Sequence, residues 1–318
     1  MKNKRVLASF LIVLLTSCSS NVNPIESEFF CFSTYVNTSL YDGQKSDITA
    51  VESILTKYDK LADNYRARDV NNLYTINNTN EPVSIDSDLY NMLKKAFEVT
   101  TQGANNYNPL CGSLAKQWKT SLLNKQVLSD DVIAAELAKI QTSNLTFLDN
   151  NTVQRTGEAE LDLGGIAKGY ALDEIKTYFT TNDLKSYLVN GGQSSILLGE
   201  KKTKDGLFNV GFKEINNAYI KVKNCFVSTS GISEQFVEIN GVKYSHIVDP
   251  KTGKANYEHD MVIVISETGY YGDALSTSMM MNTIDEIKNI EKEHGVKAIV
   301  IKDKRITYQN DSLEVFYH

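Results

Sequence analysis

Cysteine, histidine and proline are scarce in this chain of 318 residues, and a basic charge balance is lacking. Its four cysteines form no Cys-x-x-Cys pair and no Cys/His cluster, which argues against a zinc site. A formal charge of −6 gives no support to nucleic-acid binding, which usually needs a basic face. The hydrophobic fraction of 42% and the charged fraction of 23% are typical of a soluble globular protein. This length allows one large domain or two moderate ones.

The N-terminus predicts export. Three basic residues precede an apolar run, Val6–Leu15, which is too short to span a bilayer and has the form of a signal peptide over residues 1–17. It ends in Leu-Thr-Ser-Cys, which resembles the lipobox of bacterial lipoproteins and implies lipidation of Cys18, palmitate included. The alternative is an ordinary cleaved signal with a chance cysteine. We expect an extracytoplasmic lipoprotein held at the membrane by its N-terminal lipid, with a tether over residues 18–30.

Three cysteines remain beyond this point, Cys31, Cys111 and Cys225. An odd count in an exported protein argues against a disulfide framework, so we expect small buried side chains.

Hydrophobic periodicity predicts the architecture of the remaining chain, residues 31–318. A strand is expected over residues 31–37, followed by amphipathic helices and a possible helical subdomain over residues 84–143. From about residue 144 short β runs follow, including Glu160–Leu163, and the C-terminal part alternates strands with helices. The pattern predicts an α/β (α+β) protein with mixed β-sheets flanked by helices.

A glycine pair after a short apolar run is the first candidate site. In the stretch Leu161–Tyr170, Gly164 and Gly165 precede an amphipathic helix, with Asp162 and Lys168 on either side of the turn. Paired glycines let the backbone approach a ligand closely, and a helix start offers free N–H groups. The alternative is a helix entry with a surface charge pair.

A second group of candidates lies near the C-terminus. His246 is followed by an Asp-Pro-Lys-Thr-Gly turn, and a lone histidine is more often structural than catalytic. Asp273, Ser276 and Thr277 share one face of a predicted helix and provide the oxygen ligands that suit Mg²⁺. Taken alone, this pattern favours an ordinary helix N-cap, with Asp273 as the capping residue.

Five motifs occur in this order: Asp-Leu-Gly-Gly-Ile-Ala-Lys-Gly-Tyr-Ala, Asn-Gly-Gly, Thr-Ser-Gly, Tyr-Ser-His-Ile-Val-Asp-Pro-Lys-Thr-Gly and Asp-Ala-Leu-Ser-Thr. As an ordered set they resemble the ApbE family, the FAD:protein FMN transferases. The resemblance covers roughly residues 31–310. It implies an ApbE-like fold and Mg²⁺-dependent cleavage of FAD, with FMN attached through a phosphoester to a Ser or Thr of an acceptor protein and AMP released.

The resemblance also implies site residues. Asp162 and Lys168 match positions that contact FAD. The metal positions are matched by Gly165 (through its backbone oxygen), Asp273, Ser276 and Thr277, where some relatives have Asp in place of Ser276. His246 matches the family's histidine, a candidate general base for the attacking hydroxyl.

The match to the flavin-contacting positions falls partly in the N-terminal half. Phe32 stands where relatives have Met, and Asn108 stands where they have Asp. Tyr65, Tyr107 and Val248 complete the expected set, and the four apolar or aromatic side chains are candidates for an isoalloxazine slot.

Three activities fit these residues: the flavin transferase, a Mg²⁺-dependent FAD pyrophosphatase giving FMN and AMP, and a non-catalytic FAD-binding lipoprotein. A Ser–His–Asp hydrolase using Ser230 or Ser245 lacks the Gly-x-Ser-x-Gly pattern. The first two require that the glycine turn near Gly165 and the helix start near Asp273 meet in space.

Overall fold

The computed structural model describes residues 23–212, 214–232, 236–239, 241–245, 247–255 and 257–317. The predicted signal peptide, the predicted lipidation site Cys18 and the candidate base His246 lie outside these residues.

The helices follow the predicted amphipathic segments. They are α1 (Lys45–Ala62), α2 (Leu73–Asn77), α3 (Ser87–Glu98), α4 (Gly112–Leu123), α5 (Asp130–Thr142), α6 (Ala167–Thr181), α7 (Gly269–Met279) and α8 (Ile284–His294). Several begin at capping residues, such as Ser129 before α5 and Thr283 before α8. Within the described ranges, none of the helices combines the length and apolarity that crossing a bilayer requires.

The strands are β1 (Ile25–Cys31), β2 (Thr34–Leu40), β3 (Val83–Ser84), β4 (Asn144–Leu148), β5 (Thr152–Thr156), β6 (Tyr187–Gly191), β7 (Ser195–Leu198), β8 (Phe208–Gly211), β9 (Ala218–Val222), β10 (Cys225–Gly231), β11 (Phe236–Ile239), β12 (Val242–Ser245), β13 (Met261–Ser266), β14 (Lys297–Lys302), β15 (Arg305–Gln309) and β16 (Val315–Tyr317). The main sheet has the order β1-β2-β6-β7-β10-β13-β14-β15, and its neighbouring strands pair antiparallel. Smaller sheets are β16-β9-β8, β3-β5-β4 and the hairpin β11-β12. The predicted α+β class, with helices flanking several sheets, is confirmed.

The main sheet is buried on both faces, as β13 shows. Val262 and Val264 belong to the core shared with the helices, whereas Ile263 and Ile265 belong to a second core that includes Phe208 and Ile220 of the sheet β16-β9-β8. Alternate side chains of one strand therefore fill two cores, which explains its unbroken apolar sequence.

The start of the folded domain differs from the prediction. Residues 25–30, assigned to the tether, form the edge strand β1, and the strand expected over residues 31–37 is β2. The Ser27 hydroxyl donates to Glu52 of α1 at 2.6 Å, and Phe29 packs against the main core. The alternation is weak in the sequence because Ser27 on the inward face is polar and Phe30 on the exposed face is apolar.

Two further expectations are corrected. Residues 160–163 form no strand, because their backbone bonds go to groups outside any sheet: the Leu161 N–H donates to the Asn77 side chain of α2 at 2.7 Å, and the Asp162 N–H donates to the Pro109 carbonyl at 2.8 Å. The helices α3, α4 and α5 share one buried cluster with α1 and α6, so residues 84–143 have no core of their own.

Candidate active site

A cavity of about 750 Å³ lies where one end of the main sheet meets the start of α6 and the face of α7 that carries Asp273, Ser276 and Thr277. The β1–β2 turn, the β6–β7 turn and the end of β10 contribute to its wall. All eleven described residues that the sequence singled out for cofactor or metal line it: Phe32, Tyr65, Tyr107, Asn108, Asp162, Gly165, Lys168, Val248, Asp273, Ser276 and Thr277. The structure therefore brings these candidates together, whereas His246 lies outside the described residues and its neighbours Ile247 and Val248 are in the wall.

Helices α6 and α7 cross in backbone contact beside the cavity. A methyl group on Gly169 would lie 2.2 Å from the carbonyl oxygen of Gly269, so the crossing requires glycine. Each helix also receives a carboxylate from the other: Asp173 accepts the Gly269 and Tyr270 N–H groups at 2.8 Å each, and Asp273 accepts the Gly169 N–H at 2.7 Å. These reciprocal bonds fix the start of α6 relative to the residues that α7 presents to the cavity.

The Asp273 carboxylate is buried among neutral donors. Besides the Gly169 N–H, it accepts the Ser195 hydroxyl (2.9 and 2.8 Å to the two oxygens) and the Ser228 hydroxyl (2.6 Å). Burial raises the pKa of Asp273 to about 6, although the Ser228 hydrogen bond and the charge of Lys168 lower it. The site is therefore short of positive charge around this carboxylate.

The hydroxyls of Ser276 and Thr277 lie on the same side of α7. Both donate to the Asp273 carbonyl at 3.0 Å, and Ser230 Oγ lies 2.9 Å from Ser276 Oγ and 3.3 Å from Thr277 Oγ1. A methyl group on Gly165 would lie 3.4 Å from Thr277 Oγ1. The glycine turn and α7 therefore meet, as the metal hypothesis requires.

This donor set fits Mg²⁺ in its chemistry. It offers one carboxylate, a backbone carbonyl and hydroxyls, and Mg²⁺ takes oxygen ligands from one or two carboxylates together with waters and substrate phosphates. In the part of the chain that the structure describes, no group of three or more His, Cys, Asp and Glu side chains could hold an ion by itself. A cation here would depend on its ligand for the rest of its coordination, and it would offset the buried charge of Asp273.

Lys168 and Asp162 place opposite charges in the cavity wall. The Lys168 ammonium donates to the Ser194 hydroxyl at the β6–β7 turn. Asp162 accepts the Asn64 amide at 3.0 Å and the Gly164 N–H at 2.6 Å, so its carboxylate braces the glycine turn. Lys168 is held where it can offset the charge of an anionic ligand.

The predicted aromatic slot is spread along the cavity. Phe32 occupies the β1–β2 turn with a left-handed backbone (φ 49°), and its N–H donates to Asp59 at 2.9 Å. Tyr65 is 55% exposed, with the ammonium groups of Lys116 and Lys119 5.0 and 4.8 Å from its ring centroid, so it stands at the rim.

Tyr107 and Asn108, two further residues expected to contact the flavin, lie in the loop before α4. Tyr107 packs its ring edge against Gly165, deep in the cavity. Asn108 uses its side-chain oxygen to accept the Leu110 N–H at 2.9 Å, which stabilises the turn into α4. An asparagine can perform this capping without a charge.

Sequence analysis missed Asn64 and Ser195, which hold the two site carboxylates. Ser195 follows the Gly191–Gly192 turn closely, so a small hydroxyl after a glycine turn was an available signal. Asn64 had no such signal, because it lies 98 residues from its partner Asp162. The Thr-Ser-Gly motif, residues 229–231, ends β10, where the Ser228 and Ser230 hydroxyls contact α7 side chains.

An α+β body with a buried carboxylate, a lysine and a glycine turn at a helix start is suited to a phosphate-bearing ligand. Comparison of the sequence with protein families then identifies the group: the ApbE family matches residues 32–300, and the chain belongs to it. Among similar curated proteins, one from Treponema pallidum is 29% identical over 71% of this chain and 68% of its own length. Another from Klebsiella pneumoniae is 28% identical over 84% of this chain and 85% of its own. Both are named FAD:protein FMN transferase.

Solved structures agree with the fold. The ApbE protein of Thermotoga maritima matches with a TM-score of 0.78 and 24% identity, covering 91% of this chain and 97% of that one. The flavin transferase ApbE of Vibrio cholerae matches with a TM-score of 0.72 and 20% identity, covering 92% and 96%.

Proposed function

We propose that this protein is a FAD:protein FMN transferase that moves the FMN moiety of FAD onto a Ser or Thr hydroxyl of an acceptor protein and releases AMP. Membership of the ApbE family and the names of the related proteins support the reaction class. The observation that carries the proposal is the meeting of the glycine turn, Lys168 and the α7 carboxylate Asp273 in one cavity.

The reaction exchanges one phosphorus–oxygen bond for another. The acceptor hydroxyl oxygen forms a bond to the FMN phosphorus while the bond from that phosphorus to the AMP phosphate breaks. AMP leaves with the bonding electron pair, and the hydroxyl proton passes to a base. His246 is our candidate for that base.

The side chains of this protein are proposed mainly to position FAD and to neutralise the charge of its diphosphate. Lys168 offsets charge on the diphosphate, and the positive end of the α6 dipole lies beside it. Mg²⁺ bound by the Gly165 carbonyl, Asp273, Ser276 and Thr277 would supply further neutralisation of the diphosphate. Positioning and electrostatics account for most of the acceleration expected for phosphoryl transfer.

Phe32, Tyr65 and Val248 are proposed to contact the isoalloxazine ring, with Asn108 and Asp162 as further FAD-binding residues. Because the cavity is open at Tyr65, we propose that the acceptor hydroxyl enters there. We also propose that the protein is exported and anchored to the membrane by a lipid on Cys18, because its N-terminus resembles a lipoprotein signal.

The test combines purified protein, FAD, Mg²⁺ and an FMN-binding acceptor domain. Covalent transfer appears as a fluorescent acceptor band after denaturing electrophoresis, and free FMN and AMP are separated by chromatography. Asp273→Asn keeps the size of the side chain but removes its charge, so it should lose most of the transfer. Asp285→Asn, an exposed position on α8, is the matched control and should retain it.

The products distinguish the alternatives. FMN without a labelled acceptor would replace the transferase with a FAD pyrophosphatase, in which water is the nucleophile. Intact bound FAD without either product would indicate a carrier. Equal transfer by wild type and Asp273→Asn would remove Asp273 from the site.

A further inference from the structure

Tyr107 carries a buried hydroxyl with no partner. Its side chain is only 7% exposed, and its phenol oxygen makes no hydrogen bond with any of the described residues. A buried polar group normally has a partner, because leaving one unmade costs folding free energy. An aromatic side chain needed only for packing would be served as well by phenylalanine.

The Tyr107 ring lies in the cavity wall beside the glycine turn. Its edge would be 3.0 Å from a methyl group on Gly165, the turn residue that meets Thr277. The preceding residue fixes this position, since the Asn106 N–H donates to Ser278 Oγ of α7 at 2.9 Å. Tyr107 therefore contacts the junction of the glycine turn and α7. Tyr65 lies elsewhere, at the exposed rim of the cavity.

A phenol hydroxyl has one proton to donate. Because the Tyr107 hydroxyl has no acceptor among the described residues, an acceptor that arrives with a ligand would satisfy it. The charged oxygens of a phosphate form stronger hydrogen bonds than neutral acceptors do.

We propose that the Tyr107 hydroxyl is a binding group for the diphosphate of the bound dinucleotide, to which it donates a hydrogen bond, and that it is no part of the flavin slot. This inference rests on the proposed function for the identity of the ligand. It assigns the Tyr107 hydroxyl a role that ring stacking would not require.

Tyr107→Phe removes only the hydroxyl, and Tyr178→Phe is the matched control. Tyr178 lies on α6 away from the cavity lining, and its hydroxyl donates to Asp47 at 2.8 Å. Each protein is titrated with FAD, ADP and riboflavin at fixed Mg²⁺ by calorimetry, and chromatography verifies that FAD stays intact. Melting temperatures are measured without ligand.

We expect Tyr107→Phe to weaken FAD and ADP binding by about 10- to 100-fold, the range for a hydrogen bond to a charged acceptor. Riboflavin, which lacks phosphate, should bind as in wild type. The unliganded melting temperature should stay the same or rise, because an unpaired buried hydroxyl is removed, whereas Tyr178→Phe should melt lower with unchanged binding.

Three results would overturn the inference. Unchanged affinity for all ligands would show that the hydroxyl is unused, and weaker FAD and riboflavin binding with unchanged ADP binding would place it at the flavin. A lower melting temperature with unchanged affinity would show a partner inside the protein. If wild type itself binds no FAD, the proposed function fails, and the inference fails with it; if wild type binds and Tyr107→Phe binds equally, only the inference fails.

Discussion

Lys168 is the single lysine or arginine among the site residues predicted from the sequence. Its position in the cavity wall predicts that its replacement slows flavin transfer. Its ammonium reaches Ser194 across the cavity and its charge acts on Asp273. Replacing it in Lys168→Met keeps the apolar stem and removes the charge that offsets the diphosphate. We expect kcat/KM for flavinylation to fall by about 100-fold or more.

Lys176 provides the control for that measurement. It lies on the same helix, donates to the Glu267 carbonyl at 2.8 Å and stands 5.1 Å from the Phe226 ring centroid, outside the cavity lining. Lys176→Met should transfer FMN at the wild-type rate. Equal losses in the two variants would mean that helix stability, and not charge in the cavity, sets the rate.

Gly165 tests the junction between the turn and α7. The added methyl in Gly165→Ala would lie 3.0 Å from the Tyr107 ring, so the turn or the ring must move. Because the Gly165 carbonyl is a proposed metal ligand, the Mg²⁺ concentration for half-maximal activity should rise about tenfold. Gly211→Ala, whose methyl meets only the Ala218 carbonyl at 3.7 Å, should leave the Mg²⁺ titration unchanged. Superimposed titrations for Gly165→Ala and wild type would contradict the assignment.

At the scale of elements, the α6–α7 crossing predicts a pH effect through Asp173. Burial raises the pKa of Asp173 to about 7, against the opposing hydrogen bonds from the Gly269 and Tyr270 N–H groups. The unfolded value is about 3.9. A raised folded-state pKa means that the folded protein holds the proton more tightly, so this contribution to stability is complete below about pH 4 and is lost as the pH rises through 7.

Asp173→Asn isolates this contribution, because the amide oxygen can still accept a backbone N–H but does not titrate. The difference in unfolding free energy between wild type and Asp173→Asn should move against wild type from pH 4 to 7, by at most about 1.4 kcal/mol per pH unit. Denaturant unfolding at several pH values measures it. A difference independent of pH would show that the carboxyl keeps an ordinary pKa.

Local sequence patterns predicted the helices and strands better than they predicted the contacts between them. The glycine pair followed by an amphipathic stretch predicted a helix there, and α6 begins at Ala167, two residues after Gly165. The strand β1 escaped because one of its faces is largely solvent-exposed, so its apolar pattern was weak. The reciprocal bonds of Asp173 and Asp273 could not be foreseen, since they join residues about 100 positions apart through a crossing that only the packed glycines allow.

At the scale of the whole molecule, the order of several weak motifs predicted the site. Each motif alone fitted a turn or a helix cap, yet their sequence order matched one family, and that implied a common cavity. The cavity walls agree with this expectation at the eleven predicted residues that the structure describes. What motif order could not indicate is the supporting layer, Asn64 and Ser195, because a hydrogen bond across the fold leaves no local pattern.

The proposed lipid anchor on Cys18 limits the distance between the folded domain and the membrane. Ile25 begins β1 only seven residues after Cys18, and an extended chain spans at most about 3.6 Å per residue. A lipid on Cys18 would therefore hold the start of β1 within about 25 Å of the bilayer surface. Cys18→Ser should abolish labelling by palmitate and release the protein from the membrane fraction, whereas Cys225→Ser should not.

Lipid attachment and catalysis should separate cleanly, because the cavity wall is built from Phe32 onward and β1 already starts beyond the predicted lipid site. Purified Cys18→Ser should therefore flavinylate a soluble acceptor domain at the wild-type rate. It should lose only the advantage that a shared membrane gives toward a membrane-bound acceptor, since anchoring raises the effective concentration of the two proteins. A slower reaction with the soluble acceptor would mean that the N-terminal segment contributes to the active site. An unchanged rate with the membrane-bound acceptor would mean that anchoring does not favour membrane-bound acceptors.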